Sequence, residues 1–285
     1  VENFIVRGCK ARAIEVNFSD ATTATSPVSD AAAVRLNNLT FIANTGDLGA
    51  ALWVGPNVSV QLRTCAVSSN TATDSIIYAA GGSTLELVNC DLSSNQGTAV
   101  AFNGSTLLIR FSRFLNNSAS TAALQRRVQG LGRLLWAPAR RPGSTSASQV
   151  ADMVVLENPS LTQLGQTADA GAIRVTQWAN WSKCDLNVSQ SVFQNNSGGA
   201  GGAVFLGSRA AASFSGCNFT GNVAKWLGGG AIFAYRDSCL QMTDSMLTAN
   251  TVQPPQRSVT YPTLRCDRTN TVLCHKSAWP KCPNY

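Results

Sequence analysis

The chain has 285 residues and a mass of 30.0 kDa, with 44% hydrophobic, 7% aromatic and 13% charged residues. That composition fills a sizeable core and excludes disorder for most of the length, while its wealth of small and β-favouring residues speaks against a helical bundle. The 22 Lys and Arg against 15 Asp and Glu leave a net charge of +7; no apolar run approaches the roughly 20 residues of a membrane helix, and Val1 opens no leader, so the chain reads as a processed piece.

In chain order, Ala13-Ile14-Glu15 looks like the closing strand of an incomplete first turn without a cap, an end that more chain or another subunit is expected to cover. A phrase ending in Asn then recurs: FIAN, VSSN, LSSN, FLNN, FQNN, FTGN and LTAN. The marker residues Asn44, Asn70, Asn95, Asn117, Asn196, Asn222 and Asn250 are spaced by 26, 25, 22, 79, 26 and 28 residues. Ten residues before each marker stand Val34, Val60, Leu85, Leu107, Leu186, Ala212 and Leu240, and three before it stand Phe41, Val67, Leu92, Phe114, Phe193, Phe219 and Leu247. Every one is apolar, as the inward positions of stacked strands require. A further strand follows most markers, as in Ala51-Leu52-Trp53, Ile76-Ile77-Tyr78, Ala99-Val100-Ala101, Ala203-Val204-Phe205 and Ala231-Ile232-Phe233.

Most of these periods are shorter than a strand-helix-strand crossover of about 30 residues, so the pattern predicts an all-β parallel β-helix of about seven to eight coils. In such a stack the seven markers form a structural Asn ladder at one corner. The predicted organisation is a β-helix over residues 1–252, a basic insertion over about 119–170, and a Cys-containing extension or cap over 253–285.

In the 79-residue step, Ala172 stands 55 positions after Asn117. Long insertions of this kind are usually either functional or disordered. This one gathers Arg126, Arg127, Arg133, Arg140 and Arg141, with no acid between Ala119 and Val150, and Leu124, Val128, Leu131 and Leu135 recur at helical spacing. A basic amphipathic segment suits a partner protein, an acidic glycan or a lipid surface; the competing reading packs the Leu face on the coil and solvates the Arg. Trp178 and Trp181 suit packing beneath the insertion better than the alternative, a carbohydrate-stacking surface.

The best repeats, Phe193 to Asn196 with Gly201 to Val204 and Phe219 to Asn222 with Gly229 to Ile232, resemble the F-x-x-N and G-G-A-[ILV] repeats of chlamydial polymorphic outer-membrane proteins. The resemblance extends over roughly residues 1–118 and 170–252 and implies a right-handed β-helix, surface display and adhesion. Several coils replace the Phe by Val or Leu and lack the paired Gly. The composition points to a eukaryotic relative, similar to algal and protist surface proteins.

Nine of 22 Asn lie in N-x-Ser/Thr acceptors: Asn17, Asn38, Asn57, Asn103, Asn116, Asn180, Asn187, Asn195 and Asn218. Composition predicts about four, and the excess points to N-linked glycans acquired in the secretory pathway, with an extracellular or cell-surface location. An oxidising compartment follows. Of nine Cys, Cys65, Cys90 and Cys217 share one inward column and read as buried thiols, whereas Cys9, Cys184, Cys239, Cys266, Cys274 and Cys282 are disulfide candidates whose pairing stays open.

No catalytic, metal or cofactor site is expected. No outward column holds two acids; Glu86 and Asp91 share a coil, and Asp91 should meet Arg113 as a surface ion pair. The only His is His275 in the tail, and Cys266, Cys274 and Cys282 are spaced by eight rather than as C-x-x-C. The residues therefore point to a non-enzymatic extracellular structural or adhesive module. Its expected partners are other surface or matrix proteins, a ciliary-surface assembly among them, within a larger chain or complex and without nucleic acid. The alternative is a carbohydrate-active β-helix that binds or cleaves an acidic polysaccharide.

Overall fold

A computed structural model describes residues 1–17, 34–119, 170–176, 184–207, 209–225, 229–234, 238–253 and, as backbone, 184 and 271–274. The described chain is all β-strand and winds as a parallel β-helix whose strands stack into three principal sheets. The first sheet runs through Val34–Asn37, Ser59–Arg63, Thr84–Val88, Thr106–Arg110, Cys184–Ser189, Ala210–Ser215 and Cys239–Thr243. The second begins at Ile5–Arg7 and ends at Met246–Thr248; the third begins at Ile14–Val16 and ends at Ile232–Ala234. Among the described residues six coils carry all three strands, fewer than the seven to eight expected, because the turns described at both ends are partial.

Alternation explains the core. On the first sheet Leu36, Leu62, Leu87, Ile109, Val188, Phe214 and Met242 fall in one register column and are all buried. On the second, Phe114, Phe193 and Phe219 stack at centroid distances of 4.9 and 4.6 Å, with Phe214 meeting Phe193 and Phe219 edge-on. On the third, Ile14, Leu52, Ile77, Val100, Ile173, Val204 and Ile232 share a column. Equivalent residues recur at the strand spacing of about 4.8 Å, so each inward side chain packs on its own kind above and below.

Two left-handed residues per coil turn the chain between sheets. One set is Asn38, Thr64, Asn89, Phe111, Gln190, Gly216 and Asp244; the other is Gly8, Ala43, Ser69, Ser94, Asn116, Asn195, Gly221 and Ala249. Each residue of the second set precedes a corner position, and from Asn44 onward that position is the ladder Asn. There the backbone N–H and the side-chain Nδ2 of Asn44, Asn70, Asn95, Asn117, Asn196 and Asn222 all donate to the Oδ1 of the next coil's Asn. The Nδ2 groups also donate backward, Asn196 to Phe114 O at 2.9 Å for example. This satisfies amides that would otherwise be orphaned in a fully buried corner. Cys9 takes the corner position in the first partial coil, donating its N–H to Asn44 Oδ1 at 3.0 Å.

A second polar ladder lies beside the first. Cys90 N–H donates to Ser112 Oγ, Ser112 N–H to Ser191 Oγ, and Cys217 N–H to Ser245 Oγ, at 3.1 to 3.2 Å. The column of small residues is therefore a hydrogen-bonded element as well as a packing one.

Candidate functional site

The long insertion leaves the coil after Ala119 and returns at Ala170 without disturbing the stack. Arg113, Phe114 and Leu115 pair in register with Val192, Phe193 and Gln194 across it. Ser118 bridges Ser197, and Ala170 bridges Gly201. Arg126, Arg127, Arg133, Arg140 and Arg141, the Leu124 to Leu135 periodicity, and Trp178 and Trp181 lie outside the described residues.

The outward face of the third sheet, where the insertion returns, carries one column: Glu15, Trp53, Tyr78, Ala101, Arg174, Phe205 and Phe233. Its middle is covered, with Ala101, Arg174 and Phe205 at 1%, 5% and 1% exposure. Arg174 Nη2 stands 2.5 Å from Asp74 Oδ1. Phe205 joins Ala170 and Ala200 in a separate apolar cluster outside the main core, with Phe233 stacked at 5.8 Å. The sequence reading missed this covered face; the signal was Arg174 in the GAIRV strand, an Arg flanked by buried apolar residues. Such a cation is retained inside a fold only with a charged partner.

Toward the first coil the same column becomes an aromatic ladder. Tyr78 stacks on Trp53 at 6.5 Å, and the Arg12 guanidinium lies 4.5 Å from the Trp53 ring while pairing with Glu15 at 2.8 Å. The Arg12 guanidinium covers one face of the Trp53 ring, and Tyr78 lies near-parallel to that ring, offset on the following coil. A sugar stacks on a ring face, so this ladder reads as structural. A cavity of about 480 Å³ beside it is lined by Lys10, Ala11, Arg12, Thr45, Gly46, Asp47 and Leu48.

Asp91 lies in register with Arg113 at 3.8 Å, both partly exposed, and the Glu86 carboxylate accepts a hydrogen bond from Gln61 Nε2 on the preceding coil. Among the described residues no group of three or more His, Cys, Asp or Glu is placed to hold a metal ion. His275, Cys266 and Cys282 lie outside the described residues, as does Asn180.

The other eight acceptor Asn are described. Asn17, Asn38, Asn57, Asn116, Asn187 and Asn195 are exposed, and Asn103 and Asn218 are half-buried. Asn116 and Asn195 each stand next to a ladder Asn, yet their left-handed backbone turns them outward while Asn117 and Asn196 turn in. Cys65, Cys90 and Cys217 are buried free thiols, and Cys9, a disulfide candidate by sequence, is also free. Cys184 is described by its backbone alone, and Cys239 faces Cys274 across an antiparallel strand pair. Comparison with protein-family models, with curated proteins and with solved structures finds no match to this chain.

Proposed function

We propose that this chain is a non-catalytic extracellular scaffold: a glycosylated β-helix that holds the Arg-rich insertion and its outward coil faces at fixed spacing for contact with surface or matrix proteins, a ciliary-surface assembly being one such setting. The observation that carries this reading is the continuity of the stack across the insertion. Asn117 and Asn196, 79 residues apart, bond as any adjacent rungs do. A fold that absorbs a 50-residue excursion without losing register suits presentation, in which a stiff frame sets position and loops make contact. The acceptor Asn, six of the eight described being exposed and two half-buried, fit a secreted surface, and the resemblance to polymorphic outer-membrane protein repeats fits adhesion.

The alternative is a carbohydrate-active β-helix acting on an acidic polysaccharide. The two acids that share one coil, Glu86 and Asp91, are engaged by Gln61 and Arg113, which favours the scaffold reading. Capture from native surface extract with the intact chain and with a chain lacking residues 121–143, read by mass spectrometry and glycan analysis, separates the two. The expected result is a protein partner that disappears with the deletion. Identical captures, or a polysaccharide captured and shortened, would overturn the proposal.

A further inference from the structure

The last strand of the first sheet, Cys239–Thr243, carries on its outer edge Thr271–Cys274, which runs antiparallel in a sheet whose other pairs are parallel. The chain thus returns upon the final coil and occupies the edge where a further coil would add. The register is Cys239 with Cys274, Leu240 with Leu273, Gln241 with Val272 and Met242 with Thr271. Directly opposed residues of an antiparallel pair have Cα atoms roughly 4.5 to 5.5 Å apart and lie on the same face of the sheet. A disulfide spans Cα separations of about 4.4 to 6.8 Å.

We infer that Cys239 and Cys274 form a disulfide that pins the returning strand over the last coil as a covalent end clasp. Cys239 is not among the free thiols and has no titrating proton. Cys184, the other cysteine of this sheet, lies two strands away, because Cys184 registers with Ala210 and Ala211 with Cys239. Two strand spacings amount to about 9.6 Å, beyond the reach of a disulfide. The clasp answers a physical need of the fold. An open edge of N–H and C=O groups recruits other strands, and solenoids need their terminal coils covered.

The bond forms by thiol–disulfide exchange with a small-molecule disulfide such as oxidised glutathione. One thiolate attacks the reagent's S–S bond and releases one reduced thiol; the second thiolate then attacks the mixed disulfide and releases the other. The two protons lost by the cysteines are taken up, through solvent, by the two glutathione thiolates released, which carry away the two electrons. Persistence of the clasp in the native setting rests on the extracellular reading above.

The test is a non-reducing peptide map of the whole chain, refolded in a glutathione buffer, and of the same chain recovered from its native surface. A single peptide joining Cys239 to Cys274 in both is expected. Cys239 joined to Cys184, Cys266 or Cys282, or left free after refolding, would overturn the assignment. The clasp in refolded protein but free thiols in native material would leave the pairing standing and overturn the extracellular reading instead. Hydrogen exchange adds a readout of its role: in Cys274→Ser, or after reduction, amides of Cys239–Thr243 should exchange faster by roughly a hundredfold, with the Asn196 region unaffected. Unchanged exchange at Cys239–Thr243 would show that the bond does not hold the strand and would sink the clasp.

Discussion

Asn117 donates through both its backbone N–H and its Nδ2 to the Oδ1 of Asn196, each at 3.1 Å, although 79 residues separate the two in sequence. The same two donations join neighbouring rungs 22 to 28 residues apart. The corner is thus a continuous chain of amides, and each rung answers for groups on both neighbouring coils.

Asn196→Ala orphans two donors of Asn117 and the carbonyl of Phe114 in a buried corner. Unfolding in urea should show a loss of about 3 to 5 kcal/mol. Asn196→Asp keeps the acceptor for Asn117 but turns a buried carboxylate oxygen onto the Phe114 carbonyl and Asn222 Oδ1, and should be at least as destabilising as Ala. Equal stability of all three would mean that the ladder is solvated.

Thr64 turns a corner with φ at 53° and is exposed, while the equivalent corners use Asn38 and Asn89. A β-branched residue is strained in that region and Asn tolerates it. Thr64→Asn should therefore stabilise the chain by about 1 kcal/mol and raise Tm by about 2 °C. A lowered Tm would show that the Thr makes a compensating contact.

The thiol pair predicts a pH dependence under reducing conditions. The hydrogen bond from Cys90 brings Cys65 down from 9.0 to about 7, while the same contact, together with burial, pushes Cys90 up. Burial also raises Cys217. A lowered thiol stabilises the fold above its unfolded value of 9.0 and loses that contribution as pH falls through about 7; raised thiols contribute below 9.0 and lose it as pH climbs further. Stability in urea should rise from pH 7 to 9 and then decline, and Cys65→Ser should abolish the rise. A flat profile between pH 7 and 9 in the parent chain would contradict the coupling.

Glycan occupancy should follow local bonding. Asn103 Nδ2 donates to the Tyr78 hydroxyl at 3.0 Å, and its Oδ1 accepts from the Thr176 hydroxyl. A sugar on that nitrogen would press against the neighbouring coil. Mapping of deglycosylated peptides should find Asn57, Asn187 and Asn195 converted to Asp and Asn103 intact. An Asn103 glycan at full occupancy would show that this network does not form.

The stacked columns were legible because inward positions repeat at a fixed distance from each marker. Val34 to Leu240 and Phe41 to Leu247 show this without reference to any contact. The hydrogen bonds of the Cys and Ser column were not legible, because a small inward residue looks the same whether it packs or bonds. The pairing of Arg174 with Asp74 was hidden for a different reason: 100 residues and the whole insertion separate the two in sequence. The coil count was overestimated because markers identify corners, whereas a complete coil needs three strands. Cys9 shows the same limit from the other side, since it occupies a corner position that no Asn announces.

The central claim, that the solenoid is a self-sufficient frame for its insertion, has one direct test. Register matches Ser118 to Ser197 and Ala170 to Gly201, so Ala119 matches Gly198 and only Gly199 and Ala200 stand where residues 120–169 intervene. Replacing 120–169 by Gly-Ala should leave a closed coil that unfolds in one cooperative transition with the parent's Tm, measured by circular dichroism at 218 nm, a wavelength about where β-strands absorb. Two separate transitions, or loss of cooperative unfolding, would show that the insertion is part of what holds the two halves of the stack together.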